Sequence, residues 1–298
     1  MTRPFDKTFS LVLTLLSPLA FLGAAATKTV RPSSFAASKT IDVPAILSAS
    51  EKVNTVPPLA TYPLSIKDNK DTSTIHSDWA SFHDGAAFVF KADMDTDCDG
   101  LDYKCDGNHD GQSLTNWGAL SAFEVPYIVI PQAFLEANPV AIPGNNVAAV
   151  ICNKKMFYAI LGDANGNDPQ VTGEASWLLA RTCFPKDNLS GSKGHDEADV
   201  TYILYTGSEA VLASTALDDN HITDFDKLRS MGDHLTTSLS KNLGIPPLSP
   251  SSSPHDDNNE GGTGDSDSES DFDSGVQARR AAPELMGLFL AILVLVLV

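Results

Sequence analysis

A chain of 298 residues with 42% hydrophobic content has an ordinary globular composition and could hold one large domain or two small ones. Its formal net charge of −18 at pH 7 excludes nucleic acid and anionic membrane surfaces as electrostatic partners. The same charge suits a cationic ligand, although solubility alone would also account for it.

The first residues have the layout of a secretory signal. Two basic residues precede an apolar stretch at 9–22, and the small residues 23–26 follow it. A membrane-spanning anchor needs about 20 apolar residues, whereas this stretch is shorter and is interrupted by Pro18. We therefore expect residues 1–26 to be a signal peptide, cleaved near Ala26.

The next region divides into a lead-in and a segment rich in strand signals. The lead-in, residues 27–74, is rich in Ser, Thr, Ala and Pro with little periodicity, so we expect it to be loosely ordered, with a short helix at 40–50. Apolar runs separated by Gly, Pro and Asn clusters then predict strands at 86–90, 127–130, 147–151, 156–161 and 200–205.

Two helices and a tight turn complete the predicted elements. Helices are expected at 174–182 and 224–242, the second with Thr223 as its cap, and residues 153–155 predict a tight hairpin. The pattern indicates a β-rich α+β fold: a single compact domain of mainly antiparallel strands with a few flanking helices, spanning residues 75–246.

The C-terminal part has the composition of a stalk followed by an anchor signal. Residues 247–274 are rich in Ser, Asp and Gly without periodicity, which predicts a disordered acidic stalk. The apolar run 285–298 follows a polar spacer and two small residues, the three parts of a glycolipid-anchor signal. We expect 275–298 to be removed and a GPI anchor to be attached at Ser274, although a single-pass helix competes with this interpretation.

Four cysteines remain outside the two terminal signals, and an even number in a secreted chain predicts two disulfides with three possible pairings. We favour Cys98–Cys105, which closes a short loop, and Cys152–Cys183, which ties a strand to the helix that follows the next loop. Asn188 begins an Asn-Leu-Ser triplet, an acceptor for glycosylation.

Two carboxylates flank a turn-forming segment in the middle of the chain. Asp163 follows the apolar run 156–161, and Glu174 precedes the helix-like run 177–180. Glycoside hydrolysis uses such a pair, because the leaving oxygen must be protonated while the sugar carbon is attacked on its other face. Glu174, beside apolar residues, would be the protonated group and Asp163, among turn amides, the ionised one. The alternative is that Asp163 caps a turn and Glu174 complements a helix dipole.

A series of short blocks gives this pair a context. The blocks are Asp-Met-Asp-Thr-Asp-Cys-Asp-Gly at 93–100, Ala-Val-Ile-Cys-Asn at 149–153, Leu-Gly-Asp-Ala-Asn-Gly at 161–166, Thr-Gly-Glu-Ala-Ser at 172–176, Cys-Phe-Pro at 183–185 and Gly-His-Asp at 194–196. In this order they resemble the fungal chitosanases of glycoside hydrolase family 75, over roughly residues 75–243. The resemblance implies an endo-acting enzyme that cuts β-1,4 links between glucosamine units of chitosan with inversion. It also implies Asp163 and Glu174 as the catalytic pair.

The aspartate run has three interpretations. Asp95, Asp97 and Asp99, with Gly100 and Asp106, match the oxygen spacing of a calcium loop. The last position is Asp where the longer Glu is usual, and two cysteines lie inside the loop. The resemblance instead implies that the first three aspartates line the cleft and bind substrate amines through charge-assisted hydrogen bonds. A solvated acidic loop is the third possibility; we predict substrate binding and no metal.

His195, in the Gly-His-Asp block, is a further candidate for substrate binding through a sugar hydroxyl, or for ordering its loop. Trp117, Tyr158 and Trp177 are candidates either for stacking on sugars or for the core. The sequence contains no phosphate-binding glycine loop, zinc-ligand spacing or serine nucleophile elbow, so it predicts no cofactor.

Taken together, these patterns predict a monomeric, secreted endo-chitosanase, anchored at the cell surface or in the cell wall and in contact with the membrane only through its lipid. Its partner would be chitosan, a cationic polysaccharide. A non-catalytic acidic or calcium-dependent polysaccharide-binding wall protein is the alternative from another class, and a glycosidase of chitin or a β-glucan is the third.

Overall fold

The computed structural model of the chain describes residues 29–67 and 70–249. In chain order the elements are a 3-10 turn at Pro32–Ser34, α1 (Val43–Ser50), β1 (Thr61–Pro63), β2 (Thr72–Thr74), β3 (Ala87–Asp97), β4 (Tyr127–Pro131), α2 (Gln132–Ala137), β5 (Val147–Cys152), β6 (Lys155–Asn165), β7 (Glu174–Ser176), α3 (Trp177–Cys183), β8 (His195–Tyr205), a 3-10 turn at Ser208–Ala210 and α4 (Phe225–Asn242).

Six of the strands form a closed barrel in the order β3-β7-β4-β6-β5-β8. The pairs β3–β7 and β4–β6 are parallel and the other pairs are antiparallel. Closure leaves no unpaired strand edge in this sheet. The predicted β-rich α+β fold with mainly antiparallel strands is thus confirmed.

The barrel is buried on both faces. Every residue of β4 and of β5 is buried, which explains why these strands read in sequence as continuous apolar runs rather than alternating ones. Side chains on the inner face fill the barrel, and those on the outer face are covered by helices and by the lead-in.

Helix α4 covers β5 and β6. Its apolar stripe is buried, and Gly232 lies so close to the Tyr158 ring that a Cβ there would approach the ring to 2.3 Å. The Tyr158 hydroxyl donates to Asp233 Oδ1 of the same helix at 2.8 Å. The cap is Asp224, which accepts from the Lys227 N–H at 2.9 Å, so the predicted Thr223 cap is wrong by one residue.

The lead-in is ordered where the structure describes it, contrary to expectation. Phe35 and Ile46 are fully buried, Ala36 forms a bridge with Phe157 of β6, and β2 lies against β3. The prediction of a loose segment is wrong because burial against the barrel supplies the order that local periodicity did not signal. The short helix predicted at 40–50 is confirmed as α1.

The predicted hairpin and both favoured disulfides are also confirmed. Asn153 and Lys154 connect β5 to β6 as a two-residue hairpin, and both have positive φ (47° and 61°), as such a tight turn requires. Both favoured disulfides are present: Cys98–Cys105 with Cα atoms 6.3 Å apart, and Cys152–Cys183 with Cα atoms 5.6 Å apart.

Several predictions fall on residues that the structure does not describe. These are the signal peptide 1–26, the stalk beyond residue 249, the removed segment 275–298 and the attachment site Ser274. Within the described ranges, the helices are too short or too polar to span a membrane.

Candidate active site

A cleft of about 700 Å³ opens where β3 and β6 end and β7 begins. Seven of its lining residues are acidic and two are lysines: Asp95, Asp97, Asp99, Asp110, Asp163, Glu174, Asp196, Lys67 and Lys193. Its electrostatic potential is therefore strongly negative, which concentrates cations in the cleft.

Strand register brings the two predicted carboxylates together. Asp163 of β6 pairs with Val129 of β4, and the pairing of Ile128 with Ala175 puts Glu174 on the other side of Val129. Asp95 of β3 then pairs with Glu174. Residues in one such row across a sheet point to the same face, and all members of the row Asp95, Glu174, Val129 and Asp163 line the cleft.

Asp163 is 6% exposed, and its Oδ1 accepts from the backbone N–H groups of Asn116 (2.9 Å) and Ala164 (2.8 Å). Burial raises its pKa to about 6, with a smaller contribution from the charge of Asp99. The two N–H donors act in the opposite direction, because they stabilise the carboxylate. Asp163 is therefore ionised over most of the neutral range.

Glu174 is half-buried, and its Oε2 accepts from Asn165 Nδ2 at 2.7 Å. Burial raises its pKa to about 7, helped by the nearby charges of Asp95 and Asp163 and opposed by the Asn165 hydrogen bond. Of the two carboxyls, Glu174 thus has the higher pKa. Glu174 is therefore the carboxyl of the pair that more readily holds a proton near neutral pH.

Gly173 fixes the approach of the chain to Glu174. Its φ is +94°, and a Cβ at this position would come within 2.1 Å of Asp93 Oδ1. Its carbonyl accepts from the Asp95 N–H at 2.7 Å, which holds β7 beside β3. Only glycine combines this backbone conformation with so close a neighbour.

The aspartate run lies along the same cleft. Asp95 and Asp97 belong to β3, where alternate side chains lie about 7 Å apart along the strand. The ligands of a calcium loop curl round one ion, so the extended strand at Asp95 and Asp97 does not favour a calcium loop made from this run alone. Asp97 and Asp99 are half-buried beside Asp163, and one carboxylate oxygen from each of these three residues lies within 4.8 Å of the others. This group could accept hydrogen bonds from an ammonium or coordinate a cation.

The acidic side chains of the cleft raise one another's pKa values. The pKa of Asp97 is raised well above its usual range, mainly by burial and then by the charges of Glu174 and Asp163. The Asp99 N–H, which donates to Asp97 Oδ1 at 2.7 Å, acts in the opposite direction. Burial and the charge of Asp196 raise the pKa of Asp95 to about 6, and Lys67 opposes this shift. The cleft therefore binds protons near neutral pH and would exchange them for a cationic ligand.

Three residues that contribute to the site were not identified as site residues from the sequence. Asp93 is buried beneath the cleft, burial and the charge of Asp95 raise its pKa to about 8, and its Oδ1 has no hydrogen-bond partner in the described structure. Asn165 orients Glu174, and the Asn116 backbone holds Asp163. The blocks at 93–100 and 161–166 contain Asp93 and Asn165, which was the available signal, whereas Asn116 acts only through its backbone.

His195 is not among the residues that line the cleft. Its Nδ1 lies 2.8 Å from Asp187 Oδ2, its Nε2 lies 3.2 Å from Asp199 Oδ1, and its ring stacks on Phe184 at 3.5 Å. These contacts favour the alternative in which His195 orders the chain between α3 and β8, because both ring nitrogens are occupied. Its role in substrate binding stays a prediction.

The other candidates divide between the core and the surface. Tyr158 is fully buried, and Trp177 packs edge-on against Phe123; neither these two residues nor Trp117 lines the cleft. Asn188 is exposed in the connection between α3 and β8, where an acceptor for glycosylation would be accessible.

The comparisons with known proteins agree with this geometry. Residues 94–238 match the family described as fungal chitosanase of glycosyl hydrolase group 75. The chain is 64% identical to Endo-chitosanase C of Aspergillus oryzae over 211 residues, which is 71% of this chain but only 55% of that relative's length. It is 35% identical to Endo-chitosanase B of Aspergillus oryzae over 55% of this chain and 80% of that protein. It is also 35% identical to an Endo-chitosanase of Aspergillus fumigatus over 52% and 74% of the two chains. On these matches, the chain belongs to the fungal chitosanases of glycosyl hydrolase group 75.

Proposed function

We propose that the protein is an endo-chitosanase that hydrolyses β-1,4 links between glucosamine units with inversion. The observation that carries this proposal is the row in which Asp163 and Glu174 flank Val129, with different surroundings and a higher pKa for Glu174. Inverting hydrolysis needs this division of protonation between two carboxyls. The names of the relatives support the substrate and the endo mode of action.

Glu174 is the general acid in this mechanism. Neutral Glu174 donates its proton to the glycosidic oxygen, which makes the departing sugar a good leaving group. Asn165 holds the Glu174 side chain through Oε2, so the second oxygen is available for the proton. After the step Glu174 is ionised and is reprotonated from solvent.

Asp163 is the general base. Its Oδ1 is held by two backbone N–H groups, and its charge removes a proton from a water that attacks the opposite face of the sugar. The strands β6 and β7 are separated by β4, so Asp163 and Glu174 approach the cleft from two strands that are not direct neighbours. Inversion requires about 6.5 to 9.5 Å between the two carboxyl groups, and retention about 5 Å.

The acidic cleft accounts for the choice of a cationic polymer. A glucosamine ammonium donates three hydrogen bonds, and Asp97 and Asp99 each place an oxygen within 4.8 Å of the other, beside Asp163, where they can accept two of them. Asp95 and Asp196 extend the negative surface on the side of β3 and β8. Neutral β-glucans and fully acetylated chitin lack the charge that this surface attracts.

The test compares the wild-type protein with Glu174→Gln on soluble chitosan. We expect reducing ends to appear with the wild type and viscosity to fall early, as internal cleavage requires, and we expect the variant to lose about 10²- to 10⁴-fold in rate. Proton NMR of the first products should show the α-anomer. Full activity of Glu174→Gln would remove the proposed acid.

Two further outcomes would redirect the assignment. Chitosan binding without any release of reducing ends by the wild type would support a binding-only wall protein. Faster hydrolysis of chitin or a β-glucan than of chitosan would support a glycosidase for a neutral polymer. Chitosans of graded acetylation, run in parallel, give the preferred substrate.

We further propose that the protein is a secreted monomer, held at the cell surface or in the cell wall by a GPI anchor at Ser274. The two disulfides support an oxidising compartment, where such bonds persist. Treatment of intact cells with a phosphatidylinositol-specific phospholipase should release the protein, and Ser274→Leu should prevent its anchoring. Retention after the phospholipase would favour a spanning helix.

A further inference from the structure

The two lysines that line the cleft lie on the same side of it. Gly194, which follows Lys193, lies so close to β3 that a Cβ on it would come within 2.7 Å of Asp95 Oδ1. The charge of Lys67 opposes the rise in the pKa of Asp95, and the charge of Asp196 adds to it, so both side chains lie near Asp95. We call this part of the cleft, which holds two acids and two bases, the β8 side.

The other part of the cleft has a different charge. Asp97, Asp99 and Asp163 bring three carboxylates together there. A glucosamine ammonium is attracted to this group without opposition, whereas on the β8 side Lys67 and Lys193 repel it. The cleft therefore does not treat every unit of a polymer chain alike.

Lys67 reaches the cleft from the lead-in. It belongs to the loop between β1 and β2, of which Ser65, Ile66 and Lys67 line the cleft. The Thr172 N–H donates to the Pro63 carbonyl at 3.3 Å, which fixes the start of this loop beside the segment that carries Glu174. The loop lies outside residues 94–238, which match the family.

The chemistry of this loop suits an acetylated sugar. The Lys67 ammonium donates hydrogen bonds and accepts none, so it repels a glucosamine ammonium and complements a carbonyl oxygen. The acetamido group of N-acetylglucosamine has such a carbonyl and carries no charge. Its methyl group can contact Ile66, which is 50% exposed and lies next to Lys67 in the same wall.

We propose that Lys67 is a specificity-determining residue, which makes the β8 side of the cleft a subsite for an N-acetylglucosamine unit. The preferred substrate is then a partially acetylated chitosan, with a glucosamine at Asp97, Asp99 and Asp163 and an acetylated unit beside Lys67 and Ile66. This inference rests on the proposed function, because it names the form of the polymer that the cleft selects.

The first experiment measures binding without turnover. Full-length Glu174→Gln is titrated by calorimetry with glucosamine oligomers and with partially acetylated oligomers of the same length, at a pH where the glucosamine amines are charged. The readout is the ratio of the two affinities. Lys67→Met, added to this background, removes the ammonium and keeps the length of the side chain. We expect it to shift the ratio about three- to tenfold away from the acetylated oligomer.

The second experiment uses the active protein. Partially acetylated chitosan is cleaved, and the units beside the new reducing and non-reducing ends are identified by mass spectrometry. We expect one position near the cut to be enriched in acetylated units with the wild type and to lose this enrichment with Lys67→Met. Lys67→Arg is the matched control, because it keeps the charge and the donors, and it should retain the wild-type pattern.

The outcomes separate this proposal from the proposed function. If the wild type cleaves no chitosan, the hydrolytic function is refuted, and the affinity ratio still decides the role of Lys67. The proposal is overturned if Lys67→Met leaves the affinity ratio unchanged, or if it weakens binding of both oligomers equally, as a purely structural role of Lys67 would. Lys67 is exposed, so each variant should keep the wild-type circular dichroism spectrum.

Discussion

Strand β3 borders two cavities that differ in nearly every physical respect. At its end, Asp95 and Asp97 belong to a cleft of about 700 Å³ with seven acidic residues, whose members raise one another's pKa. Near its middle, Lys91 borders a second cavity, of about 220 Å³, between the lead-in and the barrel. The first site concentrates charge for chemistry on a cation, whereas the lining of the second cavity carries one charge of each sign.

The largest expected effect is on catalysis. Asp163→Asn retains the shape and can still accept from the N–H groups of Asn116 and Ala164, but it cannot remove a proton from water. We expect the rate of chitosan hydrolysis to fall by about 10²- to 10⁴-fold. Reducing-end release measures this fall, and a circular dichroism spectrum equal to that of the wild type is the control for folding. A rate within threefold of the wild type would show that another group acts as the base.

The next effect concerns stability against pH. Four carboxyls of the folded protein hold protons that the unfolded chain releases near pH 4. Their pKa values are raised to about 8 for Asp93, to about 7 for Glu174, and to about 6 for Asp95 and Asp163. The folded state thus binds more protons than the unfolded state between about pH 4 and pH 8. This stabilisation is complete below that window and is lost as the pH rises through these folded-state values.

Thermal unfolding at pH 5 and at pH 8 checks this sign. We expect the melting temperature to be lower at pH 8 by several degrees, and Asp93→Asn should reduce the difference because Asn has no proton to lose. Thr201→Val, in the second cavity, should leave the pH dependence unaltered. A melting temperature that rises from pH 5 to pH 8 would contradict the raised pKa values.

A smaller effect is expected on the pH profile of the rate. The Asn165 amide stabilises ionised Glu174 and so lowers its pKa; Asn165→Ala removes this donor. The alkaline limb of the kcat profile, where Glu174 loses its proton, should move upward by less than about one pH unit. Gln170→Ala is the matched control, because Gln170 lies in the loop that follows Asn165 and its side chain accepts from the Ala133 N–H. If the alkaline limb of the kcat profile is unchanged in Asn165→Ala, the ionisation of Glu174 does not set that limb.

The smallest expected effect lies in the second cavity. Thr201→Val should change the chitosan hydrolysis rate by less than about twofold, since a substitution remote from reacting groups does not alter transition-state stabilisation. The measurement is the same reducing-end assay. A tenfold loss would show that the two cavities are coupled.

Much of the barrel was predicted correctly from the sequence, and the strand segments that were missed share one property. The apolar runs predicted β4 and β5 almost to the residue, because a strand buried on both faces leaves a continuous signal. The same reasoning missed the last part of β3, the end of β6 and all of β7. These segments carry the carboxylates of the cleft, so they are polar where an ordinary strand would be apolar. The predicted helix at 174–182 begins only at Trp177, and Glu174 opens a strand.

The candidate site was recognised as a set of residues before its geometry was known. The resemblance carried by the blocks implied Asp163 and Glu174 as the catalytic pair, and it implied Asp95, Asp97 and Asp99 as neighbours of the site. It also placed His195 there, where the structure instead gives both ring nitrogens to Asp187 and Asp199. A sequence block shows which residues occur together, but it does not show which way a side chain at the start of a strand points.

The sequence by itself indicated the family and the β-rich architecture, favoured one of three disulfide pairings and, through the resemblance, pointed to the two carboxylates, because these follow from local patterns and from the order of short blocks. Only the tertiary structure decided how the carboxylates face one another, since the row from Asp95 through Glu174 and Val129 to Asp163 crosses four strands that are distant in sequence. It also decided which groups are deprived of water, and desolvation is the largest cause of each raised carboxyl pKa in the cleft. Burial is a property of the packed chain, and no short segment carries it alone.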